Sequence, residues 1–176
     1  MSASRSNIVL IGMPGSGKSS VGRLLAKDAS LSFIDTDDLI SAAARGRSLQ
    51  DIVDRDGYLA LRRLEEQVLL ELHCTKHVIA TGGSAVYSPA AMDHLRRHGV
   101  LVLLEVDLAT LRARVADFDT RGLVKRPEQT LEDLFAERAE LYLKYAELRI
   151  DCRQRSPREV SGAVLTGLRA AKLFDR

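Results

Sequence analysis

Apolar residues gather along the chain in short runs of strand length at 7–11, 32–34, 77–80, 100–105 and 149–151. Between them lie longer stretches in which apolar positions recur at helical spacing, so strands alternate with helices. Helix starts are marked at Ser88-Pro89 and Ser156-Pro157, where serine caps and proline takes the first helical position. Glu159, three residues after Ser156, completes a capping box. Strand-helix alternation requires right-handed crossovers that bury a mainly parallel sheet between helices. The pattern therefore predicts a three-layer α/β domain.

One stretch breaks the alternation. Residues 117–130 have little helical periodicity, contain Gly122 and Pro127, and carry Arg121, Lys125 and Arg126. A long polar insertion in a compact domain suits an active-site lid.

Composition narrows the class. With 176 residues and 45% hydrophobic content the chain fits one domain, 1–176, with one buried core. A net charge of +2, no Trp, four Tyr and four Phe give neither the basic excess nor the stacking surface of a nucleic-acid binder. Cys74 and Cys152 lack metal or redox spacing and are expected to be inert thiols in a reducing compartment. The apolar run at 8–11 is too short for a signal peptide, and no run approaches the roughly 20 residues of a membrane span. A soluble, cytoplasmic monomer is the expectation.

The strongest chemical signal is Gly12-Met13-Pro14-Gly15-Ser16-Gly17-Lys18-Ser19, which satisfies G-x-x-x-x-G-K-[ST] between the first strand and a helical segment opening at Ser20. Gly12, Gly15 and Gly17 permit a turn whose N–H groups, with those of Ser16 and Ser20, face phosphate oxygens. Lys18 reaches the β- and γ-phosphates of ATP, and the Ser19 hydroxyl is placed to ligate Mg²⁺.

The second strand runs into Asp35-Thr36-Asp37-Asp38, and in open α/β sheets ligands bind at the carboxyl ends of strands. If the strand continues, Asp35 and Asp37 share one side, so one supports the metal while the other reaches an acceptor hydroxyl. Asp37 or Asp38 could instead cap a helix beginning near Leu39.

The P-loop is followed in order by Phe33-Ile34-Asp35-Thr36-Asp37, Leu61-Arg62-x-x-Glu65, Ala80-Thr81-Gly82-Gly83-Ser84-Ala85-Val86 and Arg138-x-x-Leu141-Tyr142. Taken together from about 7 to 160, this set resembles the shikimate kinases. The resemblance implies a five-stranded parallel sheet, a substrate-binding region at about 33–63 and a lid at about 114–130. It also implies transfer of the ATP γ-phosphoryl group to the shikimate 3-hydroxyl with Mg²⁺. By similarity Asp37 would engage that hydroxyl as base, Asp35 would sit near the metal, and Arg62 and Arg138 would hold the substrate carboxylate. Gly82, Gly83 and Ser84 would line the acceptor, Arg114 would stack on adenine, and Arg121 would be the catalytic lid arginine, with Arg126 as a rival.

Arginine suits the carboxylate task because its planar fork binds bidentately and stays charged. Glu65 and Glu66, three and four residues beyond Arg62, could each orient it along one helix face.

The chain departs from the family pattern at four places. The usual third glycine is Ser84, Arg-Pro-Leu-Leu reads Arg121-Gly122-Leu123-Val124, Arg-x-Pro-Leu-Tyr reads Arg138-Ala139-Glu140-Leu141-Tyr142, and the phenylalanine before the substrate arginine is Leu61. All four bear on the acceptor and lid rather than on ATP. Another small hydroxy acid such as homoserine satisfies the same geometry, and a nucleotide-binding regulatory module is the reading without turnover.

Overall fold

The computed structural model describes residues 5–114 and 124–174. The element order is β1 (Asn7–Ile11), α1 (Lys18–Ala29), β2 (Ser32–Asp35), α2 (Thr36–Ala43), α3 (Leu49–Asp56), α4 (Tyr58–Glu71), β3 (His77–Ala80), α5 (Pro89–His98), β4 (Gly99–Glu105), α6 (Leu108–Arg114), α7 (Leu131–Tyr145), β5 (Leu148–Asp151) and α8 (Pro157–Ala170). The five strands form one parallel sheet in the order β2-β3-β1-β4-β5. This is the three-layer α/β architecture expected from the alternation, with the five parallel strands that the resemblance implies.

Every residue of β1 is buried, as a central parallel strand covered on both faces requires. The chain reverses direction of growth beside β1, since β3 pairs on one side of it and β4 on the other. Ligands in open α/β sheets bind at such a switch, outside the carboxyl ends of the strands. The loops leaving β1 and β3, and the start of α2 directly after β2, all open there.

Local signals set most helix ends. Ser88 caps α5 by accepting from Ala91 N at 3.1 Å, and Ser156 and Glu159 form a full capping box on α8. The start of α2 differs from expectation: it begins at Thr36 rather than near Leu39, and its cap is Asp35, which accepts from Asp37 N at 3.1 Å. Asp37 therefore stands in the first helical turn and not on a continued strand, because the cap satisfies an N–H that the helix leaves orphaned.

Two apolar clusters divide the interior. The larger spans the sheet with α1, α5, α7 and α8. The smaller joins Ile40, Ala44, Ile52 and Leu61 of the α2–α4 region to Val124. Among the described residues no helix is long and apolar enough to cross a membrane.

Candidate active site

The loops after β1 and β3, with the junction of β2 and α2, border a cavity of about 310 Å³ lined by Lys18, Asp35, Asp37, Glu65, Ser84 and Arg138, among others. The phosphate loop forms one end. Gly12 has φ +146°, and a Cβ there would stand 2.8 Å from the Leu104 carbonyl, so only glycine lets the loop leave β1 at this angle. Gly17, at φ +98°, caps α1 without a side chain and leaves the helix N-terminus open to an anion.

Lys18 is buried, and its Nζ donates to the carbonyls of Gly12 and Met13 at 2.7 and 2.8 Å. Burial pulls its ammonium down to about 8, and the Asp37 charge beside it opposes the shift. Ser19 lies across from β2, where its hydroxyl donates to Asp35 Oδ2 at 2.6 Å. A hydroxyl and a carboxylate beside a phosphate loop are the hard oxygen ligands Mg²⁺ takes when phosphates and water complete its shell. That donor set fits, and among the described residues no group of three or more His, Cys, Asp or Glu side chains offers an alternative metal cage.

Asp37 stands beyond Asp35. Burial, reinforced by the Asp35 charge, pushes its carboxyl above the usual range while Lys18 opposes. Its Oδ1 is buried and has no hydrogen-bond partner among the described residues, an acceptor atom ready for a donor.

The opposite end is built by α4, the loop after β3, and α7. Arg138, 1% exposed, donates from NH2 to the Val124 carbonyl at 2.6 Å. Tyr142, one turn on, donates to the Gly83 carbonyl at 2.6 Å and fixes the loop against α7. A Cβ on Gly83 would stand 2.7 Å from Arg138 NH1, so glycine here permits the close approach. Gly82 N donates to Thr36 Oγ1 at 3.1 Å and ties this loop to the start of α2.

The structure brings most of the expected residues together, with two exceptions in geometry. Arg62 lines a neighbouring cavity of about 170 Å³, and Glu65 and Ser84 form the wall common to both. Its guanidinium lies over the Tyr87 ring, 3.4 Å from the centroid, and neither Glu65 nor Glu66 holds it in an ion pair among the described residues. Glu65 instead accepts from the Ser84 hydroxyl. Arg114 stands on the other side of the phosphate loop, in a cavity of about 250 Å³ with Gly15, Ser20 and Arg155, donating to the Ser16 and Cys152 carbonyls at 3.4 and 3.3 Å.

Arg121 lies outside the described residues. Arg126 is exposed and pairs with Glu137 at 3.2 Å, outside the main cavity. Sequence reasoning missed two residues, Tyr87 and the facing role of Glu65. The signal for Glu65 was present: Leu61, Glu65 and Leu69 share one buried stripe of α4, and a carboxylate at an apolar position asks for a reason.

A phosphate loop, a metal-suited oxygen pair, an unpartnered carboxylate oxygen and a buried arginine around one small cavity define an ATP-dependent phosphotransferase with a small alcohol acceptor. Comparison with known proteins narrows this further. The family model for shikimate kinase matches residues 14–169. A shikimate kinase of Rippkaea orientalis is 39% identical over 166 residues, covering 92% of this chain and 87% of the relative. The solved shikimate kinase of Acinetobacter baumannii, in complex with shikimate, superposes with a TM-score of 0.87 at 32% identity over 96% of this chain and 95% of that one. That of Aquifex aeolicus gives 0.80 at 31% identity over 96% and 99%. The chain belongs to the shikimate kinase family.

Proposed function

We propose that the protein transfers the γ-phosphoryl group of ATP to the 3-hydroxyl of shikimate, a step of aromatic amino-acid biosynthesis. The observation that carries this reading is the single cavity lined by Lys18 of the phosphate loop together with Asp37, Glu65 and Arg138. It is a phosphate grip facing a set suited to an acid that bears hydroxyls. Kinship with a structure holding shikimate supports the acceptor.

On this reading Lys18 exchanges its contacts with the Gly12 and Met13 carbonyls for phosphate oxygens. Asp37 accepts the attacking hydroxyl at Oδ1, and its elevated proton affinity suits a group that takes a proton as the O–P bond forms. Arg138 holds the acceptor carboxylate from within the cavity, and Arg62 reaches it from the adjoining one. Ser19 and Asp35 would hold Mg²⁺, which neutralises charge on the transferring phosphoryl group. Arg114 and the cavity behind the loop would take the base, and Arg121 would close over the phosphates and exclude water. Positioning and charge do the catalysis, with no covalent intermediate on the protein.

The chain would act as one unit, with 33–63 shaping the acceptor end and 114–130 as lid. Two free cysteines fit the reducing cytoplasm. The test is incubation with Mg·ATP and shikimate, homoserine or other small hydroxy acids, followed by ADP release and ³¹P NMR of the product. Acceptor-dependent ADP and a phosphate monoester on shikimate are expected. Turnover on homoserine alone, or nucleotide binding with no turnover, overturns the reading.

A further inference from the structure

We infer that Ser84 is a positioning residue for the acceptor: its hydroxyl occupies one oxygen of Glu65 and leaves the other facing the acceptor cavity beside Asp37. The inference rests on the reading of that cavity given under Proposed function.

The geometry is specific. Glu65 is 3% exposed and Ser84 is 5% exposed, so neither is solvated, and each would cost stability without a partner. Ser84 Oγ donates to Glu65 Oε2, while Glu65 Oε1 is buried with no partner among the described residues. A Cβ on Gly82 would stand 3.2 Å from Asp37 Oδ1 and closer still to Glu65 Oε1, so both oxygens border the same space beside this glycine. Two unpartnered carboxylate oxygens thus converge beside Gly82 at the cavity wall, a pair of acceptors for two hydroxyls of a polyol acid. Where the family pattern has glycine after Gly83, no hydroxyl is available to hold Glu65. Ser84 therefore supplies a contact that the glycine of the family pattern could not make.

The groups around Glu65 decide what that contact does. Lys18 faces it from α1, Asp37 from α2, and Arg138 and Tyr142 from α7, while Arg62 precedes it on α4. Burial pushes its carboxyl up to about 7, and the Ser84 hydrogen bond is the foremost influence pulling it back, with Asp37 adding to the rise and Arg138 and Lys18 opposing. The side chain therefore holds its proton far more readily than an exposed glutamate. A hydroxyl donating to Oε1 favours the charged form, so acceptor binding strengthens as pH rises through about 7. Losing the Ser84 hydroxyl moves that midpoint upward.

The experiment is the shikimate dissociation constant between about pH 5.5 and pH 9 for the wild type, Ser84→Ala and Ser84→Gly, with the ¹³C carboxyl resonance of Glu65 titrated in each free protein. Both variants are expected to bind shikimate about five-fold more weakly near pH 7, the deficit closing as pH rises, with the Glu65 midpoint displaced upward by about one unit. Glu65→Gln should remove the rise in affinity through about pH 7, and adding Ser84→Ala to it should change affinity little. A weakening by one constant factor at every pH, or an unmoved Glu65 midpoint, overturns the inference. If shikimate binds none of the proteins, the proposed function falls, whereas an upward displacement of the Glu65 resonance still establishes the coupling to Ser84. Should one variant fail to fold, the other reads the same quantity.

Discussion

The guanidinium of Arg62 lies 3.4 Å from the centroid of the Tyr87 ring. The Tyr87 hydroxyl in turn donates to Glu137 Oε1, and Glu137 Oε2 accepts from Arg126 and Gln129, each at 3.2 Å. An arginine assigned to the acceptor carboxylate is thus positioned by an aromatic face tied to the segment that leads into α7.

Tyr87→Leu removes that face, whose stacking is worth about 1 kcal/mol. The shikimate KM should rise about five-fold, with the ATP KM unaltered. Tyr87→Phe keeps the ring and loses only the link to Glu137, so it should fall between the two. Steady-state kinetics with each substrate varied in turn measures the split, and a leucine variant with an unaltered shikimate KM removes Tyr87 from this role.

Lys18→Ala should abolish turnover. Asp37→Asn should lower kcat by about 10²-fold or more while nucleotide affinity, read by calorimetry with ADP, stays near that of the wild type. Near-normal turnover by Asp37→Asn would exclude it as the base.

Glu65→Gln should stabilise the protein above neutral pH. The folded carboxyl titrates near 7, above its unfolded value, so the folded state binds the extra proton between those two values. Stability is lost as pH rises through that window, by about 3 kcal/mol in order of magnitude when fully ionised. Glutamine carries no such penalty. Urea unfolding at about pH 5 and pH 8 should show the variant gaining on the wild type at the higher value, and equal midpoints at both would contradict this.

Arg126→Ala breaks an exposed ion pair worth at most about 1 kcal/mol and should leave kcat within about three-fold of the wild type. Arg121→Ala should lower kcat by about 10²-fold or more, the loss expected when a cation on the transferring phosphoryl group is removed. The reverse ranking would assign the lid role to Arg126.

The phosphate loop was legible in the sequence because its chemistry is local. Gly12 and Gly17 have positive φ, and Lys18 and Ser19 follow at fixed spacing, so eight consecutive residues specify the grip. The alternation of strands and helices was legible for the same reason. The acceptor end was less so. Strand alternation put Asp35 and Asp37 on one side, but the cap formed by Asp35 on Asp37 N starts the helix earlier, and capping outcompetes strand continuation there. Helical spacing paired Arg62 with Glu65 or Glu66, yet Ser84, nineteen residues along the chain, arrives through the tertiary fold and takes Glu65. No local rule contains a partner delivered from another loop.

Val124 lies in the smaller apolar cluster with Ile40, Ala44, Ile52 and Leu61, and its carbonyl receives the Arg138 guanidinium. One residue just beyond 115–123 therefore completes both the interior of the α2–α4 region and a contact of the acceptor arginine. Any movement that withdraws Val124 uncovers Ile40, Ile52 and Leu61 and frees Arg138 in the same stroke. Amide exchange along α2 and α3 thereby becomes a gauge of how firmly Val124 is seated, readable without a turnover.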